Sequence, residues 1–372
     1  MSRAILSYSA VLTASLVASY WAWTREAPAD DDEVVVVVDV APDELDRIEY
    51  RSDDLDLDLV SRSDSRGDYL WVTATERKKE RSAPIDDGHG HGADAADDDA
   101  EDAGDAGDAD DADDADDADE DADDAEENAP EIVVTTKEFK AGKNGDELLA
   151  LLNPLEAERA LDTVPDDKLA ELELTEPAAS VTLVRKGKEP RTLQLGGEAY
   201  GTKDRYLRDV GSGRIYLVDD EFVRPLKYGN TRLPDRELFG VDIAEMASLV
   251  IAGPTGSLEL EQRNRDDEEN AFWAAVGAEE PAEVAATWLE KVLRLKSASY
   301  VQAEDVPAST EEAFSLQITD VDGTTVTFEV SSGVNPDGDE TWYGRSGHTR
   351  ELVRLHNGPA SQAAEDLVTV FE

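Results

Sequence analysis

The side chains with the widest chemical reach in this chain are its histidines, and their spacing gives them little to do. His89 and His91 sit in Gly88-His89-Gly90-His91-Gly92 beside Asp86 and Asp87. Such a pair could hold a soft transition ion weakly, but glycine and aspartate around it favour a solvated pair. His348 and His356 fall late in the chain, where 88 acidic residues overall make any nearby carboxylate uninformative. Ser212, in Val210-Gly211-Ser212-Gly213, lacks the strand-to-helix elbow that presents a nucleophilic serine and reads as a hairpin loop. Asp320-Val321-Asp322-Gly323 imitates the start of a calcium loop, yet Thr324 to Phe328 resume strand alternation, so a hairpin turn at Asp322-Gly323 is expected. Glycoside hydrolysis needs two carboxylates fixed across a cleft, and no pair can be chosen from sequence. No cysteine is present, which excludes disulfides, thiolate metal sites and a thiol nucleophile. Phosphate loops, dinucleotide fingerprints and metalloprotease helices are missing as well. The expectation is a protein without catalytic, cofactor-binding or metal-binding residues.

Charge points elsewhere. With 35 basic residues the formal net charge is -53, so the body is not expected to bind nucleic acid. Against that background Arg232 and Arg236 stand out, within a dense segment that also holds Leu226, Tyr228, Leu233, Leu238 and Phe239. Either arginine could meet a carboxylate on a partner, or pair with Asp235, Glu237 or another acid of its own fold.

The elements that must position these residues form one plan used twice. In the first copy, alternation predicts strands at 45–50, 56–60 and 69–72, a helix over 146–160, then strands at 179–185, 191–195, 206–208 and 214–218. In the second, strands at 247–251, 258–262 and 271–273 precede a helix over 281–295. Strands at 314–318, 325–330, 341–343 and 351–355 follow. Val284, Trp288, Val292 and Leu295 make one stripe on that helix. Trp71, Trp273 and Trp288 read as core anchors rather than ligand platforms. Each copy is small, and two packed together can share a continuous core.

Two segments lie outside the repeat. Residues 4–23 run without a charge for long enough to cross a bilayer, and Tyr20, Trp21 and Trp23 suit an interfacial belt. An uncleaved anchor, a cleaved export signal and a buried helix remain open; the anchor fits best, with residues 1–3 inside and the body outside. Residues 86–127 hold 23 of the acidic residues and no lysine or arginine, largely in Asp-Ala steps that cannot build a core. This tract should attract divalent cations only diffusely. The expected fold class is α+β: an N-terminal transmembrane helix, then a duplicated unit of antiparallel strands with one main helix per copy. The expected divisions are 1–3, 4–23, a juxtamembrane linker at 24–32, copy one at 33–85 and 131–224 around a disordered insertion at 86–130, a connector at 225–243, and copy two at 244–372.

The order of a membrane span, the Trp71 strand, the helix near Leu148, the hairpin ending at Val218 and then Leu233-Pro234-Asp235-Arg236-Glu237-Leu238-Phe239 resembles the bacterial family called domain of unknown function 4340. Leu233, Asp235, Arg236 and Leu238 occupy the places of that family's leucine-x-aspartate-arginine-x-leucine-like segment. The resemblance covers roughly residues 33–355 apart from the acidic tract, which departs from the family. Some members accompany gliding-type or other ABC transporter systems. The resemblance therefore implies a periplasmic accessory role with envelope or transporter proteins as partners, and it carries no catalytic or ligand residues. The expected function is a non-enzymatic, membrane-tethered scaffold or interaction protein; a binding module for a small ligand or envelope polymer between the copies is the alternative, and a hydrolase a remote one.

Overall fold

The computed structural model describes residues 35–80, 131–161, 164–267, 269–335 and 337–372. Residues 4–23 and 86–127, with His89 and His91, lie outside them. The chain divides into one unit of Met1–Glu76 with Thr136–Glu372 and a second of Arg77–Thr135. The first unit carries both sheets described below except the last residues of β4 and the first of β5.

In copy one, β2 (Leu45–Ser52), β3 (Leu55–Asp64) and β4 (Gly67–Glu80) form a meander, and β5 (Glu131–Lys140) flanks it. Helix α1 (Lys143–Leu151) follows. The short strands β6 (Leu155–Ala157) and β7 (Arg159–Leu161) come next, β6 pairing with β1 (Val35–Val38). A short helix α2 (Asp166–Glu171) leads to β8 (Ala179–Arg185), β9 (Arg191–Glu198), β10 (Arg205–Asp209) and β11 (Ile215–Val218). Helices α3 (Asp220–Lys227) and α4 (Gly229–Arg232) close the copy.

Copy two repeats this order. It has β12 (Met246–Gly253), β13 (Gly256–Arg263), β14 (Phe272–Ala275), α5 (Glu283–Leu293) and β15 (Ser297–Tyr300). After these come β16 (Thr310–Asp320), β17 (Thr325–Val334), β18 (Glu340–Ser346), β19 (Val353–Leu355) and α6 (Asn357–Val370).

The sheets run β5-β4-β3-β2-β8-β9-β10-β11-β7 and β14-β13-β12-β16-β17-β18-β19-β15. Strand for strand, the second order is the first without β5. The structure is therefore an α+β fold of two β-rich sheets with associated helices, consistent with a duplicated unit. Period-two alternation explains the strands: Leu55, Leu57 and Leu59 are buried while Asp56 and Asp58 between them are not. Phe314, Leu316 and Ile318 do the same in β16. One hydrophobic cluster takes side chains from both sheets.

Several elements differ from the sequence pattern. The helix expected over 146–160 stops at Leu151, because Pro154 has no N–H to donate and biases its predecessor toward extended backbone. Leu155 and Ala157 are buried with Glu156 exposed between them, which is a strand alternation. On α5, Trp288, Leu289 and Val292 are buried, but Val284 is more than half exposed, so the stripe begins after the first turn. Helix α6 has no counterpart in the sequence pattern. Its buried face is Ala360, Ala363 and Leu367, a weak signal in an alanine-rich run, and it gains definition only by lying on α5. There Trp288 Nε1 donates to the Ala363 carbonyl at 2.7 Å and Lys291 pairs with Asp366 at 2.7 Å. No helix among the described residues is long and apolar enough to cross a membrane.

Candidate functional site

Between the copies, residues 233–240 form a strap bonded to both. On the copy-one side, Gly142 N–H donates to the Leu233 carbonyl and Asp235 N–H to the Lys140 carbonyl, each at 2.9 Å. On the copy-two side, Ser297 N–H donates to the Arg236 carbonyl at 3.0 Å, Ser297 Oγ to the Asp235 carbonyl at 3.2 Å, and Ser346 Oγ to the Leu238 carbonyl at 2.5 Å. Phe239 then stacks edge-on against Phe328, with ring centroids 4.7 Å apart. A connector this heavily paired has a fixed backbone path, and its side chains are held accordingly.

Asp235 is at the centre of the strap and is 5 % exposed. Lys140, the last residue of β5, donates Nζ–H to Asp235 Oδ2 at 2.6 Å. His348, in the turn after β18, places Nε2 2.8 Å from the same oxygen and 3.3 Å from Lys140 Nζ. An ammonium offers no lone pair, so the short contact to the carboxylate assigns a proton to His348 Nε2, with both nitrogens donating to Oδ2. Asp235 Oδ1 accepts the Glu237 N–H at 3.0 Å. Burial pushes the Asp235 carboxyl up, but the hydrogen bonds and charges of His348 and Lys140 outweigh it and hold the group at about 2. Partial burial raises the carboxyl of Asp146, on the first turn of α1, against the opposing charge of Lys140. The Tyr300 phenol is pushed far up, first by burial and then by the Asp235 charge, and its hydroxyl has no hydrogen-bond partner among the described residues.

This Lys140–Asp235–His348 clasp joins three segments distant in sequence. A buried pair of this kind is worth little in net stability, yet removing one member strands a charge and costs several kcal/mol. Around it the copies meet through Trp71, whose ring lies edge-on to Tyr300 at 6.1 Å, and through Arg350, which donates Nη2–H to Asp64 Oδ1 at 3.1 Å. Gln302 exchanges hydrogen bonds with the Glu138 backbone at 2.8 and 3.2 Å. Trp71, Trp273 and Trp288 are each 9 % exposed or less.

Arg232 and Arg236 are both exposed, and neither forms an ion pair among the described residues. The carboxylate between them is consumed by Lys140 and His348. The two arginines also part company. Arg236 stands beside the β15 end of the strap, whereas Arg232, at the end of α4, stacks over Tyr228 at 5.8 Å and lines a cleft of about 500 Å³ between α1 and α3. Asn144 Nδ2 donates to the Arg232 carbonyl at 2.5 Å and ties α4 to α1. Arg224 also lines it, exposed and likewise without an ion pair among the described residues; Ala150, Leu151 and Pro225 supply apolar surface.

The other sequence candidates resolve into turns. Ser212 Oγ donates to Asp209 Oδ2 at 2.8 Å, and Asp209 Oδ1 accepts the Gly211 N–H, closing the β10–β11 hairpin. Asp320 Oδ1 accepts the Asp322 and Thr324 N–H groups, and Gly323 takes a φ of +83°. His356 is an exposed residue preceding α6. Among the described residues no group of three or more His, Cys, Asp or Glu could hold a metal ion.

Sequence reasoning missed the clasp. Its best signal was two glycines whose places admit no side chain: a Cβ at Gly142 would come within 2.9 Å of Asp235 Cα, and one at Gly240, where φ is +66°, would strike the His348 ring.

A family model described as Domain of unknown function (DUF4340) matches residues 142–317. The chain therefore contains this domain, which runs from the start of α1 through the strap into β16 and includes Arg224, Arg232, Asp235 and Arg236. No curated protein and no solved structure matches the chain.

Proposed function

We propose that this carrier of a domain of unknown function 4340 is a non-enzymatic, membrane-tethered extracytoplasmic scaffold or interaction protein, accessory to an ABC-transporter-linked envelope assembly. The observation that carries the reading is the clasp. Its Lys, Asp and His are the residue types a catalytic site would use, yet Asp235 has both oxygens engaged internally and none of the three lines the cleft between α1 and α3. Their chemistry is spent on fixing one copy against the other. Trp71, Tyr300 and the clasp fill the junction between the copies. That favours a partner on the outer surface over a ligand in the seam. Residues 4–23 supply the tether, and the body works outside the inner membrane.

Crosslinking and co-purification from native membranes test the reading: the chain should bring down envelope or transporter proteins in a fixed ratio. Protease added to spheroplasts should degrade the body while sparing the extreme N-terminus. Reproducible hydrolysis by the purified protein that is abolished by a His348 or His356 substitution would overturn the non-enzymatic assignment.

A further inference from the structure

The cleft between α1, α3 and α4 combines two features that point to one occupant. Arg224 on α3 and Arg232 on α4 both line it, with no ion-pair or hydrogen-bond partner for either guanidinium among the described residues, in a chain whose formal charge is -53. Ala150, Leu151 and Pro225 line the same cleft. Two arginines are suited to planar, bidentate recognition of carboxylates. A small inorganic anion would satisfy them but leave the apolar floor wet and most of the roughly 500 Å³ empty. A purely apolar segment would cover the floor and desolvate the guanidinium groups without pairing them.

Glu147 and Glu221 also border the cleft, and they set its polarity. Glu147 is drawn toward Lys143 at 3.4 Å, and neither glutamate lies within ion-pair distance of the arginines. An incoming acidic segment must therefore place its carboxylates on the arginines and away from these flanks, which imposes a register. The backbones that carry the arginines are fixed: the Asn144 bond to the Arg232 carbonyl ties α4 to α1, and α3 is seated by Phe222, Val223 and Leu226 in the core. Binding therefore orders the two side chains and not the helices that carry them.

Resting on the interaction-protein reading above, we infer that this cleft docks an acidic peptide segment of a partner protein, its carboxylates on Arg224 and Arg232 and an apolar side chain on Ala150, Leu151 and Pro225. Arg236, which does not line the cleft, takes no part.

The test uses the full chain in detergent and fluorescence polarisation with three labelled octapeptides: Leu-Glu-Asp-Leu-Leu-Glu-Asp-Leu, its Gln/Asn counterpart and its Lys/Arg counterpart. Inorganic phosphate serves as the competitor. The acidic peptide should bind, the neutral one at least about tenfold more weakly and the basic one not measurably. The Arg224→Ala/Arg232→Ala double variant should lose about tenfold or more for the acidic peptide, while Arg236→Ala binds as the unaltered protein does. Both variants alter exposed side chains, and an unchanged denaturation midpoint verifies that they fold. Equal binding of neutral and acidic peptides, unaltered binding by the double variant, full displacement by phosphate, or no binding of the acidic peptide at about millimolar concentration each overturns the proposal. The two readings fail separately: an envelope partner captured equally by the double variant leaves the scaffold function standing and removes this cleft from it.

Discussion

His348 Nε2 lies 2.8 Å from Asp235 Oδ2, although 113 positions separate the two residues and they belong to a turn of the second copy and the strap between copies. The same oxygen accepts Lys140 from the first copy at 2.6 Å. One buried carboxylate thus takes a cationic or N–H partner from each half of a duplicated body, beside the more exposed Arg350–Asp64 pair, and its behaviour is open to measurement.

Asp235→Asn should lower the denaturation midpoint by an amount equivalent to about 3 kcal/mol or more, because it leaves Lys140 buried without a counter-charge. Adding Lys140→Met to that variant should recover much of the loss, since the double change removes both charges. Urea titrations of the two variants give the comparison; an additive double variant would show that the pair does not interact.

Acid should weaken the clasp over a defined window. The Asp235 carboxyl lies at about 2 in the folded protein against an ordinary 3.8, so its contribution is fully present above about pH 4 and is lost as pH falls toward 2. The shift corresponds to roughly 2 kcal/mol. The stability difference between the natural chain and Asp235→Asn should therefore shrink between pH 4 and pH 2. A difference that stays constant there would contradict a depressed carboxyl at this position.

Tyr300→Phe should leave stability unchanged or raise it by up to about 1 kcal/mol. The ring packs on Trp71, but the hydroxyl is buried without a partner and sits in the field of Asp235, so deletion removes a desolvation cost and little else. A loss of more than about 1 kcal/mol would reveal that the hydroxyl is hydrogen-bonded.

Gly240→Ala should cost about 2 kcal/mol or more, from a left-handed φ of +66° and a Cβ driven into the His348 imidazole. His348→Ala in the same chain should relieve the steric share but not the backbone share. If the single and double variants lose the same stability relative to their parents, the imidazole is not what the new Cβ meets.

Much of the repeat was legible because its strands announce themselves locally. Leu55, Leu57 and Leu59 against Asp56 and Asp58 give a period of two, and so do Phe314, Leu316 and Ile318. The alanine face of α6 and the short strands β6 and β7 were not legible. Ala360 and Ala363 are apolar enough to lie against α5 and too small to mark a stripe, while Pro154 broke a helical pattern that otherwise continued. Of the site, composition marks the connector at 225–243, and its type and spacing point to Arg232 and Arg236 and not to Asp235, whose partners lie 95 and 113 positions away.

The sequence by itself determined the alternating strands, the duplicated order, the acidity and the lack of thiol chemistry, because each follows from residue type and near-neighbour spacing. Only the tertiary structure decided that Lys140 and His348 share one buried oxygen of Asp235, that Arg232 and Arg236 face different surroundings, and that Arg224 and Arg232 line one cleft. The physical reason is range. Alternation and helical stripes are encoded over a few residues, whereas a charge among 88 carboxylates gains its partner only when two sheets pack and bring distant turns together.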